Sequence, residues 1–246
     1  MNIWMSSIFV AIFATLGSYF IGLAAGWLTL DTLSYLEVAA VFTSYMCTYM
    51  CVHQTRWNYP IGVLTTFLYS WLFYRWEMYA VAAFNLYLVF SLTYGWFRWG
   101  PDGKTRPITT VDGKWWLGYA GIALGIYGLL VGVNYYFGIN ISNAEVFITV
   151  GSGVAQFLLD NKKMETWFFW ILVNIVSIVF YFQGGLYLVA FQYLFFLGNA
   201  FYGWTKWFES KRDLDYWNSC FAQGEPQEYG DYHVGLELMR EFNKKG

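Results

Sequence analysis

The chain has 246 residues, of which 58% are hydrophobic, 24% aromatic and 12% charged, with a formal net charge of −2. Soluble domains carry about 25% charge, so this composition excludes an ordinary soluble protein and leaves an integral membrane protein. The faintly acidic balance argues against a nucleic-acid partner, and the three cysteines, Cys47, Cys51 and Cys220, give no disulfide framework.

Eight apolar runs follow one another along the chain. The first, 3–26, has no basic residue before it and no small-residue cleavage site, so it reads as a retained helix and not a signal peptide. The next three runs are 33–53, 59–75 and 78–99. Residues 100–114, rich in Pro, Gly and charge, form the one clear linker. The runs 115–136, 143–160, 166–183 and 186–208 complete the set, with Gly184-Gly185 as the turn between the last two. Each run is long enough to cross ~30 Å of hydrocarbon as a helix, and none alternates as a barrel strand does. The tail from 209 is polar, with an amphipathic piece around 234–242, and is expected along the cytoplasmic surface.

Charge placement orients the chain. With eight spans, the even-numbered loops and both termini share one side. Of the 14 cations only Arg75 falls on the other side, which predicts cytoplasmic termini.

An internal repeat sets the architecture. Tyr94-Gly95-Trp96-Phe97-Arg98-Trp99 returns as Tyr202-Gly203-Trp204-Thr205-Lys206-Trp207, and Tyr79, Val81, Ala82 and Leu86 recur as Tyr187, Val189, Ala190 and Leu194 at the same offset of 108. Three helices per copy, joined by one linking helix, place both copies in the membrane with the same orientation. The expected fold is therefore an all-α membrane protein with two parallel three-helix repeats in a 3+1+3 arrangement and an extra N-terminal helix. Its parts are 1–30, the first repeat 31–99, the loop and linker helix 100–136, the second repeat 137–208 and the tail 209–246.

Polar side chains within spans are costly and mark function or helix contact. Trp167, Trp170 and Asn174 share one helical face at i, i+3 and i+7. Interfacial anchoring and helix–helix bonding account for them equally well from periodicity alone. Asn85, Gln156, Gln192 and Asn199, with Ser44 and Thr48, add polar groups near mid-depth on at least three helices. Singly each suits packing; jointly they suit a polar ligand path. Glu37 and Glu145 lie near outer ends and Asp160 near a cytoplasmic end, so no proton relay is evident. No cation lies at mid-depth, which disfavours a phosphorylated ligand and points to an uncharged or cationic, hydroxylated one. Cys47, Cys51 and His53 lack a fourth metal ligand, no catalytic motif or acid–base cluster is present, and no cofactor is expected.

At these residues the chain resembles the PnuC family of bacterial nicotinamide riboside transporters, over about 31–208. Trp167-Phe168-Phe169-Trp170-Ile171-Leu172-Val173-Asn174 is similar to the family's W-x-x-W-x-x-x-N motif. The preceding Asp160-Asn161-Lys162-Lys163-Met164-Glu165 resembles its charged turn. Trp57-Asn58-Tyr59-Pro60-Ile61-Gly62 resembles its N-W-P-x-G region, with Tyr at the second aromatic position, and the closing Tyr-Gly-Trp also fits.

The resemblance implies a SWEET-like 3+1+3 carrier in the bacterial inner membrane, working by facilitated diffusion, with a cytoplasmic kinase trapping the riboside. It also allows a homo-oligomer, a trimer. Trp167 and Trp170 would wall the pyridinium. Asn174, Gln192 and Asn85 would bind the carboxamide and ribose hydroxyls, with Gln156, Asn199 and Thr48 as further candidates. Rival readings are a sister carrier for thiamine or riboflavin, a sugar carrier, and a membrane enzyme or structural subunit.

Overall fold

The computed structural model describes residues 2–29, 34–76, 79–101, 103, 106–138 and 141–222. Among these residues lie eight helices: α1 (Ile3–Ala24), α2 (Tyr35–Val52), α3 (Asn58–Arg75), α4 (Tyr79–Trp99), α5 (Gly113–Phe137), α6 (Asn143–Asp160), α7 (Thr166–Gln183) and α8 (Tyr187–Ala222). The described residues contain no strand, only an isolated bridge between Thr109 and Lys163.

The repeat seen in the sequence carries into the backbone. α2 and α6 start and end 108 residues apart, as do α3 and α7, and α4 and α8 start at the same offset. The turns after α2 and α6 each place a non-glycine residue in the left-handed region, Gln54 at φ 54° and Lys162 at φ 50°. Within each copy the helices pack in chain order. The copies meet through α4 against α6 and α8 against α2, so the third helix of each leans on the first helix of the other. α5 packs on α6, and α1 covers α2 and α8.

Polarity follows this arrangement. α1, α2, α5 and α7 are apolar enough to read as spans by length and composition alone. The other four interrupt their runs with Thr65, Thr66, Ser91, Ser152, Gln156 and Gln192, side chains that the fold turns inward and buries or half-buries. α5 has no buried residue and presents Leu117, Ile122, Leu124 and Leu129 outward. That is the pattern of a helix bathed in lipid, where apolar exposure carries no cost.

Capping defines several helix starts. Asn2 accepts from Trp4 N at 3.2 Å to open α1. Ser142 and Glu145 close a reciprocal capping box on α6. α5 ends at Gly138 in the left-handed region.

Two clusters form the core. Tyr45, Met46, Met50 and Val41 of α2 pack with Ala11 and Tyr19 of α1, and Ser18 meets the Tyr45 hydroxyl at 2.7 Å. The second cluster gathers at the end where Lys and Arg concentrate, around Tyr59, Trp99, Trp167 and Trp207.

The segment expected as a linker is pinned to this cation-rich end. Thr109 exchanges backbone hydrogen bonds with Lys162 and Met164, Val111 N donates to Glu165 Oε1 at 2.8 Å, and Ile108 and Val111 are buried. α8 runs on through the start of the tail to Ala222. Its 36 residues span about 54 Å against ~30 Å of hydrocarbon, so its last turns project past the membrane. Exposed pairs Lys206–Glu209 and Lys211–Asp215, at 2.9 and 2.6 Å, lie there. The piece at 234–242 is outside the described residues.

Candidate functional site

Between the two repeats lies a cavity of about 280 Å³. It is lined from both repeats, by α2, α3 and α4 and by α6, α7 and α8. Thr48, Asn85, Gln156, Trp167, Trp170, Asn174, Gln192 and Asn199, all singled out from sequence, reach its wall.

Their chemistry differs. Asn174, at the middle of α7, is 2% exposed, and its amide makes no hydrogen bond among the described residues. Lining the cavity, that amide keeps its donors and its acceptor open to a ligand. Trp170, four residues earlier, is half-buried and packs on the aromatic cluster below. Gln192 is held firmly: Nε2 donates to Ser44 Oγ at 2.6 Å, while the Tyr69 hydroxyl donates to Oε1 at 3.0 Å and lies 2.8 Å from Nε2. This network joins α2, α3 and α8 across the repeat boundary.

The remaining candidates spend donors on the protein. Asn85 Nδ2 donates to the Val81 carbonyl at 2.9 Å and Thr48 Oγ1 to the Ser44 carbonyl at 3.0 Å, each within its own helix. Asn199 Nδ2 donates to the Thr48 carbonyl at 3.0 Å, tying α8 to α2. Gln156 Nε2 donates to Asp160 Oδ1 at 2.8 Å. Each keeps an oxygen as an acceptor. The first choices for recognition are therefore Asn174, and Gln192 as an oriented amide.

Trp167 lies deeper than an exposed aromatic wall. It is 3% exposed, stands edge-on to Trp207 with centroids 5.3 Å apart, and forms part of the cavity floor. Its Nε1 has no partner among the described residues. Tyr59 repeats the arrangement in the first copy, edge-on to Trp99 at 5.2 Å. Gly95 and Gly203 explain the repeated Tyr-Gly-Trp: a Cβ at Gly95 would overlap the Tyr59 ring, and one at Gly203 the Trp167 ring. Each copy needs glycine there because an aromatic ring of the preceding helix lies flush on its backbone.

The floor is also where buried charge gathers. Asp160, read from sequence as a helix-end acid, is fully buried and accepts from Ser91 Oγ at 2.7 Å and from Gln156. Lys162, read from sequence as a cytoplasmic-side cation of the charged turn, is fully buried too. Its Nζ donates to Gln54 Oε1 at 2.9 Å and to the Gly103 carbonyl, and lies 4.7 Å from the Trp99 ring centroid. Its four-carbon stem reaches from the turn into the junction of the repeats.

Sequence reasoning passed over Tyr69 and Tyr193, which line the cavity. The spacing of Thr65, Tyr69 and Phe73, four apart on α3, marks one inward face and was the available signal. Outside the spans, His53 follows α2 and packs against Tyr49, with ring centroids 4.6 Å apart and the planes tilted by 52°. Burial, and then the charge of Lys206, hold its imidazole below the ordinary histidine range.

Comparison with known proteins agrees with this architecture. The nicotinamide riboside transporter PnuC of Escherichia coli K12 is 20% identical over 210 residues, covering 74% of this chain and 88% of that protein. The nicotinamide riboside transporter PnuC of Neisseria mucosa is 25% identical over 205 residues, covering 76% and 77%. The riboflavin/roseoflavin transporter RibM of Streptomyces davaonensis is 23% identical over 168 residues, covering 65% and 78%. A crystal structure of the vitamin B3 transporter PnuC superposes with a TM-score of 0.67 at 20% identity, covering 84% of this chain and 92% of that one, and so shares the fold. The family model described as nicotinamide mononucleotide transporter matches residues 34–209, most of the chain and both repeats, and the chain is a multi-pass membrane protein belonging to that transporter family.

Proposed function

We propose that this chain carries nicotinamide riboside across the bacterial inner membrane by facilitated diffusion. The two repeats rock about the cavity in alternating access, and a cytoplasmic riboside kinase traps the product and draws the flux inward. Both termini are cytoplasmic in this reading, and the carrier assembles as a homotrimer through its apolar outer faces.

The observation that carries the reading is the unpartnered amide of Asn174, buried in the inter-repeat cavity one helical turn from Trp170. The amide pairs with the carboxamide, and Trp170 offers its face to the pyridinium, where cation–π attraction is worth roughly 0.5–2 kcal/mol. Gln192, oriented by Ser44 and Tyr69, takes the ribose hydroxyls.

The same cavity argues for riboside over mononucleotide. No Lys, Arg or His is among the described residues that line it, so a phosphate would enter without a counter-charge.

Uptake of labelled riboside into proteoliposomes tests the proposal. Uptake is expected to saturate, to need no proton or sodium gradient, and to be competed by riboside far better than by mononucleotide, thiamine or riboflavin. Stronger competition by thiamine or riboflavin would transfer the assignment to that vitamin, and gradient-dependent uptake would exclude facilitated diffusion.

A further inference from the structure

Both repeats open with the same Ser-x-x-Glu pattern, Ser34-Tyr35-Leu36-Glu37 at the start of α2 and Ser142-Asn143-Ala144-Glu145 at the start of α6. In α6 the pattern does what its chemistry favours: Glu145 Nα–H donates to Ser142 Oγ at 3.1 Å and Glu145 Oε2 accepts from Ser142 N at 3.0 Å. In α2 the box is open. Ser34 makes no side-chain cap bond, and Glu37 makes no hydrogen bond or ion pair among the described residues. Glu37 lines the outer end of the inter-repeat cavity, as does Glu145.

Helix-start acids usually need no further explanation, because the helix dipole favours them. Three observations ask for more here. The carboxylate of Glu37 makes no capping bond to Ser34. The cavity it lines also holds Asn174, nine-tenths or more buried and unpartnered. The wall at the acidic end is aromatic, with Phe73 edge-on to Trp76 at 5.7 Å and Phe84 and Tyr181 also lining the cavity. Two acidic side chains among aromatic faces form a lining matched to a flat organic cation.

We propose that Glu37, seconded by Glu145, selects for the positive charge of the ligand at the outer mouth of the cavity. The inference rests on the riboside reading for the identity of that cation, a pyridinium. The glutamates raise its local concentration and favour it over neutral and anionic congeners, while Asn174 and Gln192 read its polar edge deeper in. Asymmetry follows from the capping: Glu37 is free to follow the ligand, whereas Glu145 remains tied to Ser142.

The test uses the full-length protein in nanodiscs, titrated through its tryptophan fluorescence with 1-methylnicotinamide, a cation, and nicotinamide, its neutral counterpart. Glu145→Gln keeps the capping box, since glutamine serves there as well. Wild type is expected to prefer the cation. Glu37→Gln is expected to reduce that preference about five- to tenfold with neutral binding unchanged, as loss of one charge pair at a partly screened site allows. Glu37→Asp is expected to retain it, and the preference is expected to weaken with added salt. Equal affinity of wild type for both ligands, or an equal loss of both in Glu37→Gln, overturns the proposal. Riboside uptake by wild type is measured alongside. Absent uptake with the cation preference intact overturns the transport assignment and leaves the acidic mouth standing; normal uptake with an unaltered preference in Glu37→Gln overturns the acidic mouth alone.

Discussion

Trp99 and Trp207 stand 108 positions apart, and each sends its indole N–H across the boundary between the repeats. Trp99 donates to the Leu159 carbonyl at 3.2 Å, and Trp207 to the carbonyls of Val52 and Cys51 at 3.2 and 3.4 Å. The acceptors Cys51 and Leu159 are themselves 108 apart, so one bond is the pseudo-symmetric image of the other. Both rings are fully buried, with centroids 6.0 Å apart. They join the two repeats directly beneath the cavity.

Trp99→Phe and Trp207→Phe each remove that bond and leave a gap in a packed cluster. Each is expected to destabilise the protein by roughly 1–3 kcal/mol, read as lowered thermal unfolding in detergent. Because the two rings pack together, the double variant is expected to lose less than the sum. Strict additivity would mean that the two tryptophans act separately.

Glycine at the repeated Tyr-Gly-Trp motif makes a sharper prediction. Gly95→Ala and Gly203→Ala drive a methyl into the Tyr59 and Trp167 rings, and overpacking of this kind costs about 1–3 kcal/mol. Gly198 of the same α8 helix has nothing within 4 Å of the point a methyl would occupy, so Gly198→Ala is expected to be neutral or mildly stabilising. Equal melting of Gly203→Ala and Gly198→Ala would remove the steric reading.

These two motifs show what sequence can and cannot carry. The repeat was legible because its tryptophans and glycines recur at one offset and its hydrophobic runs have one length; helix limits in the structure keep that offset. What the glycine is for was not legible, since it depends on a ring in the preceding helix. The inward amides stood out because polar groups in an apolar run are costly. Which of them are already satisfied depends on partners over 100 positions away, as with Gln192 and Ser44. Lys162 read as a cytoplasmic-side cation of the turn because sequence reports a residue type and not its reach. Ser34 to Glu37 and Ser142 to Glu145 are the same capping pattern, and only the fold shows that one is closed and the other open.

His53 links stability to pH. Its imidazole sits between Tyr49 and Tyr202, at 4.6 and 5.9 Å, and Nε2 has no partner among the described residues. Burial and Lys206 depress its folded-state value below the ordinary ~6.5. The neutral form is therefore favoured by folding. That stability is fully present above the unfolded value and is lost as pH falls through the folded one. Unfolding temperature is expected to drop between about pH 6.5 and 5, and to drop less in His53→Gln, which cannot take up the proton. Parallel pH profiles for the two proteins would show that other groups dominate.

Asn174 and Gln192 are expected to separate binding from stability. Asn174 has no hydrogen-bond partner among the described residues, so Asn174→Ala orphans nothing. It should leave thermal unfolding of the empty protein unchanged or slightly raised, while weakening riboside binding by about 10- to 100-fold in calorimetric titration, the range for a lost buried hydrogen bond. Gln192→Ala removes the amide that both Ser44 and Tyr69 bond within 3.0 Å, leaving Ser44 only its 2.7 Å bond to the Val41 carbonyl. It should therefore lower stability by roughly 1–3 kcal/mol and weaken binding as well. Added riboside should raise the unfolding temperature of wild type and fail to raise that of Asn174→Ala, because a ligand stabilises only the state it binds. If Asn174→Ala melted early and still gained the full riboside shift, its amide would be a packing group, and recognition would have to be reassigned to the Gln192, Ser44 and Tyr69 network.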